Sequence, residues 1–167
     1  ERECPIGNEY INKIVDLRRG MVEDGNVPQS LQKPLQSLEK RGNPYGKMEK
    51  KRADWTKDLA EEFEIKVLEK KECSADTLYF VDSVSSYDER MQSVAQATAR
   101  ILNLTGIDFG VLGKNEKDSG NEVRRFGEEM LYQELKDQNI EAIVNSGANR
   151  IVTADPHAYN VIKNDYN

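Results

Sequence analysis

The chain has 167 residues and a formal net charge of −6. An acidic chain is a poor partner for nucleic acid, because phosphate binding depends on clustered Lys and Arg side chains. Two cysteines, Cys4 and Cys73, are too few and too far apart for a disulfide framework and favour a reducing, cytoplasmic compartment. No apolar run approaches the length that crosses a bilayer.

The first part of the chain, to about Leu59, carries two apolar patterns of helical periodicity and no alternating pattern typical of a strand. The patterns are centred on Ile14 and Leu35 and predict two short helices. Pro34 lies inside the second pattern and predicts a kink or a split there. The composition of residues 42–46 predicts a turn.

The segment that follows this turn is strongly basic from Lys47 to Arg52. Such a charge run usually forms a solvated surface, so we expect a solvated linker here rather than a binding patch. Trp55 is predicted to anchor the linker onto the rest of the molecule. We place the domain boundary near Asp58, which gives a helical arm and linker over 1–58 and an α/β domain over 59–167.

Beyond this boundary, apolar runs of strand length alternate with stretches of helical periodicity. This order is typical of an α/β fold with a small parallel sheet and helices on its faces. Strands are predicted at 77–81, 108–112 and 150–154, with a fourth at the sheet edge over 63–68. Helices are predicted from near Tyr87 to Gly106, from about Asp118 to Gly147, and from Pro156 onward.

A short polar turn follows each of the three central strands: Asp82-Ser83, Asp118-Ser119-Gly120 and Asp155-Pro156-His157. The carboxyl ends of parallel strands lie at one edge of a sheet, where the following helices begin with unpaired N–H groups. We therefore expect these turns to form the functional site.

The turn residues allow more than one role. Asp118 and Asp155 could cap the following helices, bind a hard cation such as Mg²⁺ or Fe²⁺, or form a carboxylate pair for acid-base chemistry. His157, the single histidine, could join them as a metal ligand. The serines are interpreted as caps and turn formers, because no nucleophile elbow is present. Gly120 could form a small anion-binding nest.

Another candidate for binding an anion is the adjacent pair Arg124-Arg125 on the predicted helix after Gly120. The two arginines could approach an anionic ligand or partner. Arginines on an exposed helix face are more often simply solvated.

Three segments, 79–87, 117–122 and 153–160, resemble the cysteine-rich domain of the heterodisulfide reductase-like iron-sulfur oxidoreductases. That family carries a Cys, then Cys-Cys-Gly, then Cys-x-x-Cys. In this chain Ser83 stands at the first position and Asp118-Ser119-Gly120 at the second. Asp155 and Ala158 stand at the third, so every cluster cysteine is replaced. The resemblance thus marks these residues as the positions of a cofactor-binding motif.

The resemblance extends upstream, where Cys4-Pro5 is similar to the end of a bacterial ferredoxin motif. It implies that Cys4 binds a 4Fe-4S cluster in a longer protein, and the absence of a Met at position 1 agrees with a piece of one. Residues 43–46 and 52–55 are similar to the connector of membrane-associated family members. The implied partners are other subunits of an electron-transfer complex, such as a flavoprotein or a membrane quinone-reducing subunit, with membrane association through them or the longer protein.

These observations lead to one hypothesis and two alternatives. On the resemblance, the chain is a fragment of an iron-sulfur electron-transfer subunit. Its cysteine-rich domain has lost its thiolate ligands, holds no cluster or an incomplete one, and acts as a scaffold. The domain alone is not expected to be catalytic. The alternatives are a metal-free protein-interaction module and an oxygen-ligand metal site built from Asp118, Asp155 and His157, with Ser83 as a further ligand.

Overall fold

The structure is a computed structural model that describes residues 4–69 and 73–166. Residues 1–3, 70–72 and 167, which fall within the two predicted domains, lie outside this description. The two predicted arm helices are present as α1 (Ile11–Glu23) and α2 (Gln29–Arg41). The prediction of a split at Pro34 is wrong, because α2 runs through this residue. The proline removes one backbone bond, to the carbonyl of Ser30, and the remaining bonds hold the helix.

The arm then turns back onto the rest of the molecule. The predicted turn follows α2, with Gly42 in the left-handed conformation at φ 61°. Two short 3₁₀ segments, Glu49–Lys51 and Asp54–Leu59, complete the arm. Trp55 lies in the second segment, is 2% exposed, and makes an edge-on contact with Tyr79 at 6.1 Å between ring centroids. The predicted anchoring by Trp55 is confirmed, whereas the domain boundary near Asp58 stays a prediction.

The α/β fold is confirmed, with a parallel sheet of four strands: β1 (Lys66–Val67), β2 (Thr77–Tyr79), β3 (Phe109–Val111) and β4 (Arg150–Val152). The spatial order is β1-β3-β2-β4, so the first strand lies at an edge as predicted. Leu78 is opposite Gly110 in one neighbour and Ile151 in the other. The two central strands, β2 and β3, are therefore next to each other.

The helix predicted from near Tyr87 to Gly106 is confirmed as one helix, with an unpredicted short helix before it, whereas two helices replace the one predicted from about Asp118 to Gly147. After β2 come α3 (Asp82–Tyr87) and α4 (Gln92–Leu104). After β3 come α5 (Asn121–Phe126) and α6 (Glu129–Ser146), separated at Gly127, which has φ 101°. A Cβ at Gly127 would lie 2.6 Å from backbone atoms of Arg18 and Arg19. The close approach of α1 therefore requires a glycine at this position. The last helix, α7 (Pro156–Asp165), begins at Pro156 as predicted.

Alternating side chains of the strand β2 face two separate cores. Tyr79 and Val81 pack with Ala95 and Ala99 of α4 and with Trp55. Leu78 and Phe80 pack on the other face, against α6 and α7. Helices therefore cover both faces of the sheet, and the loops after β2 and β3 lead to opposite faces. Within the described residues, no helix is long and apolar enough to cross a membrane.

Candidate functional site

The candidate site is the crevice at the carboxyl ends of β2 and β3. The chain leaving β2 passes to α4 on one face, and the chain leaving β3 passes to α6 on the other. In parallel sheets, neighbouring strands whose connections diverge in this way open a crevice between their loops, and ligands usually bind there. The first two predicted turns, at Asp82 and Asp118, lie at this crevice.

Asp82 connects the two loops. Its Oδ1 accepts hydrogen bonds from the backbone N–H of Ser83 at 2.6 Å and of Ser119 at 3.1 Å. It is also the sole residue other than glycine with a positive φ among the described residues, at 62°. This left-handed conformation costs about 1–2 kcal/mol for a residue with a Cβ, so the surrounding bonds must hold it in place.

Glu116, which the sequence analysis did not single out, holds the same turn from the other loop. Its two carboxylate oxygens accept the backbone N–H groups of Val81 at 3.1 Å and Asp82 at 2.9 Å. The side chain is 2% exposed. Glu116 thus binds the backbone donors at the end of β2, where α3 begins.

Arg52 brings a single buried cation from the arm. Its Nε donates to the carbonyl of Glu116 at 2.7 Å and lies 3.7 Å from the Glu116 carboxylate, and its terminal nitrogens lie 3.3 and 3.4 Å from Ser83 Oγ. The guanidinium also stacks over the Tyr87 ring, 5.4 Å from its centroid. The expectation that the basic segment is solvated is therefore wrong for Arg52, which is 3% exposed.

Three buried carboxyl groups face this one cation, those of Asp82, Glu116 and Asp118. Burial raises the pKa of each, because removal from water disfavours the charged form. The charge of Asp118 raises the pKa of Asp82 further, while Arg52 opposes the shift at all three. Burial therefore shifts all three carboxyl groups towards the neutral form, and the charge of Arg52 shifts them back towards the carboxylate form.

Asp118 and its neighbours are held from the other side by α6 and by the end of α7. Asp118 Oδ1 accepts the N–H of Gly120 at 3.0 Å, and its carbonyl accepts from the Asn139 side chain at 3.0 Å. The Tyr166 hydroxyl donates to the carbonyl of Ser119 at 2.9 Å. The predicted capping of the next helix by Asp118 or Ser119 is wrong, because Gly120 is the N-cap of α5 and no side chain caps it.

The third predicted turn is connected to the second through α5 and not through Asp118. Asp155 caps α7, as predicted, by accepting the N–H groups of His157 at 2.8 Å and Ala158 at 3.0 Å. His157 is exposed and its Nδ1 pairs with Glu122 of α5. Within residues 4–69 and 73–166, no hydrogen bond or ion pair joins Asp155 or His157 to Ser83 or Asp118.

The oxygen-ligand metal site stays a prediction without structural support. In the part of the chain that the structure describes, no group of three or more His, Cys, Asp or Glu residues is arranged to hold a metal ion. Ala158, at the last motif position, is fully buried and packs in the core behind the sheet.

Cys4 lies before a turn that is closed by a bond from the Gly7 N–H to the Cys4 carbonyl at 3.0 Å. Backbone N–H groups, first that of Ile6 and then that of Asn8, lower the pKa of the Cys4 thiol. A thiolate that accepts several N–H groups suits metal ligation, because the thiolate is the form that binds metals. This is compatible with the role expected for Cys4, which stays a prediction.

Comparison with known proteins relates the chain to iron-sulfur oxidoreductases. Residues 82–163 match the cysteine-rich domain family. The chain is 42% identical, over 99% of its length, to the probable iron-sulfur-binding oxidoreductase FadF of Bacillus subtilis. It is 35% identical, over 98% of its length, to the EtfAB:quinone oxidoreductase of Syntrophomonas wolfei, and 29% identical, over 98%, to a subunit of the heterodisulfide reductase of Methanosarcina mazei.

The chain spans a minor part of each of these relatives. It covers 24% of the Bacillus protein, 23% of the Syntrophomonas protein and 38% of the Methanosarcina protein. No solved structure matches the chain.

Proposed function

Because the chain belongs, through its cysteine-rich domain, to the heterodisulfide reductase-like iron-sulfur oxidoreductases, we propose that it is part of an electron-transfer subunit in which this domain is a scaffold. The observation that carries the proposal is a crevice whose backbone N–H groups are bound by its own carboxyl groups, although the buried Oγ of Ser119 has no partner within the described residues. Asp82, Glu116 and Arg52 use the space and the N–H groups that a ligand at this edge of the sheet would use.

The donor set at the motif positions does not fit an iron-sulfur cluster. Clusters are bound by soft, charged thiolates, whereas Ser83, Asp118 and Asp155 offer hard oxygen atoms and Ala158 offers none. Burial also favours the neutral form of Asp118, which is a weaker ligand still. We therefore assign no electron-transfer step to this crevice.

Electron transfer in the longer protein would then use other clusters. We propose that Cys4 supplies one thiolate of a ferredoxin-type 4Fe-4S cluster, a role supported by its lowered thiol pKa. The proposed partners are other subunits of an electron-transfer complex, such as a flavoprotein or a membrane quinone-reducing subunit. The Syntrophomonas and Methanosarcina relatives, an EtfAB:quinone oxidoreductase and a reductase subunit, support this class of partner.

The proposal is tested by measuring iron and acid-labile sulfide after anaerobic reconstitution of the chain, with its optical spectrum. A scaffold takes up neither in stoichiometric amount. One cluster of iron and sulfide for each chain would contradict the scaffold role, and iron without sulfide would instead favour the oxygen-ligand site. A metal-free chain that binds a partner protein would favour the interaction module.

A restored variant provides the matched control. It combines Ser83→Cys, Asp118→Cys, Ser119→Cys, Asp155→Cys and Ala158→Cys, which returns thiolates to the five positions. Gain of a cluster in this variant, with none in the unaltered chain, supports the assignment of these residues to the family motif. Circular dichroism of both proteins checks that the substitutions leave the fold intact.

A further inference from the structure

A second concave site lies between the arm and α5, and it borders the crevice at Asp118. It has a volume of about 560 Å³, within the range of pockets that hold small molecules. Its walls are mostly apolar, and most of the apolar side chains come from α2 and α5. They include Leu31, Leu35 and Leu38 of α2, and Val123 and Phe126 of α5.

Two arginines line this pocket, Arg18 of α1 and Arg125 of α5. Arg18 donates one N–H to the carbonyl of Arg125 at 2.7 Å, which ties the two residues together. Neither has a carboxylate partner among the described residues. Their sequence neighbours do, because Arg19 pairs with Glu129 at 2.5 Å and Arg124 with Asp165 at 3.3 Å.

The two acidic residues of the lining, Asp118 and Glu122, are bound to other groups and not to these arginines. Glu122 is paired with His157 and also accepts a hydrogen bond from Asn121. Asp118 is 8% exposed, and its Oδ1 already accepts the N–H of Gly120 at 3.0 Å. The mostly apolar pocket thus has two guanidinium groups in its lining that form no ion pair within the described residues.

We propose that this pocket binds a small organic carboxylate with an apolar body, whose carboxylate pairs with Arg18 and Arg125. Guanidinium groups form strong charge-assisted hydrogen bonds with carboxylates. The apolar body would pack on the leucines of α2 and on Phe126. The binding site goes beyond the scaffold role and depends on no cluster, so either proposal can fail without the other.

The test uses octanoate as the probe, with 1-octanol as its uncharged counterpart, in calorimetric titrations of the folded chain. Octanoate is expected to bind at one site for each chain and at least about tenfold more tightly than 1-octanol. Equal affinity for the two would overturn the carboxylate assignment, and no binding of octanoate would overturn the site.

Two variants locate the site. Arg18→Gln combined with Arg125→Gln is expected to weaken octanoate binding by about tenfold and to leave 1-octanol binding unchanged. Arg90→Gln is the matched control, since Arg90 is an exposed arginine outside the pocket, and it should bind octanoate as the unaltered chain does. Octanoate binding that survives the double substitution would contradict the proposal.

Vesicles of phosphatidylcholine with and without phosphatidylglycerol distinguish a free carboxylate from an anionic membrane surface. If the chain sediments with the anionic vesicles but does not bind octanoate, the pocket and its two arginines bind lipid, and the proposal is overturned. Octanoate binding that leaves the chain in the supernatant supports it.

Discussion

At the scale of single residues, the crevice depends most on Arg52. One guanidinium group compensates buried carboxyl groups, contacts Ser83 and stacks on Tyr87. Breaking a buried ion pair by removing one partner is costly, because it leaves the other charge buried without compensation. The arm therefore stabilises the α/β domain through electrostatics as well as through the packing of Trp55.

We expect Arg52→Met to lower the free energy of unfolding by about 3–5 kcal/mol, measured by urea denaturation. Adding Glu116→Gln to this variant should recover part of the loss, because it removes a carboxylate left without its cation. Arg100→Met, which breaks the exposed pair with Glu62, is the control and should change stability little. If Arg52→Met changed the free energy of unfolding only slightly, the buried pair of Arg52 and Glu116 would not be required for stability.

The buried carboxyl groups also predict how stability depends on pH. The pKa values of Asp82, Glu116 and Asp118 are raised in the folded chain above the ordinary values of 3.8 for Asp and 4.5 for Glu. Above these ordinary values the folded state holds more protons than the unfolded state, so stability falls as pH rises. We expect the free energy of unfolding to decrease from about pH 5 to about pH 7.

The variant Asp82→Asn tests the source of this dependence. The amide keeps an oxygen that can accept hydrogen bonds from Ser83 and Ser119, but it cannot ionise. The free energy of unfolding should therefore decrease less between about pH 5 and about pH 7 than in the unaltered chain. Asp137→Asn, at an exposed position, should leave it unchanged. If Asp82→Asn had the same pH dependence as the unaltered chain, the buried carboxyl groups would not be its cause.

At the scale of elements, the contact between α1 and α5 determines the position of the arm. The backbone of α1 lies directly against Gly127, and Arg18 donates to the carbonyl of Arg125 nearby. The same contact forms one end of the pocket proposed to bind carboxylates. A change that separates α1 from α5 should therefore affect both stability and ligand binding.

Gly127→Ala provides this change. Gly127 has a positive φ, and a Cβ there would overlap the backbone of Arg18. We therefore expect steric overlap and backbone strain together to lower the free energy of unfolding by about 2–4 kcal/mol. Gly147→Ala is the matched control: it shares the positive φ, at 68°, and has no neighbour within 4 Å. In that variant only the backbone strain should lower the free energy of unfolding, by about 1–2 kcal/mol. Equal losses in the two variants would contradict the close approach of α1.

The strands and helices were predictable where a single periodic pattern dominates. The parallel sheet, the edge strand near Val67 and the start of α7 at Pro156 follow from apolar runs and from a proline suited to a first helical turn. The break at Gly127 was not predicted, because the apolar pattern continues across it. Only the contact with α1, more than a hundred residues away in sequence, requires the glycine.

The candidate site was predictable only in part, because it too depends on contacts between residues that are far apart in the sequence. Asp82 and Asp118 could be placed at the crevice because each follows a central strand. Arg52 and Glu116 could not, since a basic residue in a basic segment and an acidic residue in a loop are usually solvated. Their burial depends on how the arm folds back, which no local pattern encodes. Asp155 was predicted to join the site, but its side chain caps α7 and forms no hydrogen bond or ion pair with Ser83 or Asp118 within the described residues.

At the scale of the whole molecule, the chain is a folded unit whose arm covers one end of an α/β domain. The crevice contains the first two parts of the family's cofactor motif, and hydrogen bonds between its own residues occupy it in this chain. A second, apolar pocket lies where the arm meets α5. The account therefore separates the family fold, which the chain retains, from the family cofactor, which we propose it does not bind.

The most direct test of this account is the urea-unfolding free energy of the chain before and after anaerobic reconstitution with iron and sulfide. A ligand that binds only the folded state raises this free energy. A scaffold with a self-filled crevice should unfold in one cooperative transition at the same urea concentration in both samples. A clear increase in stability after reconstitution, lost again on chelation, would contradict the account.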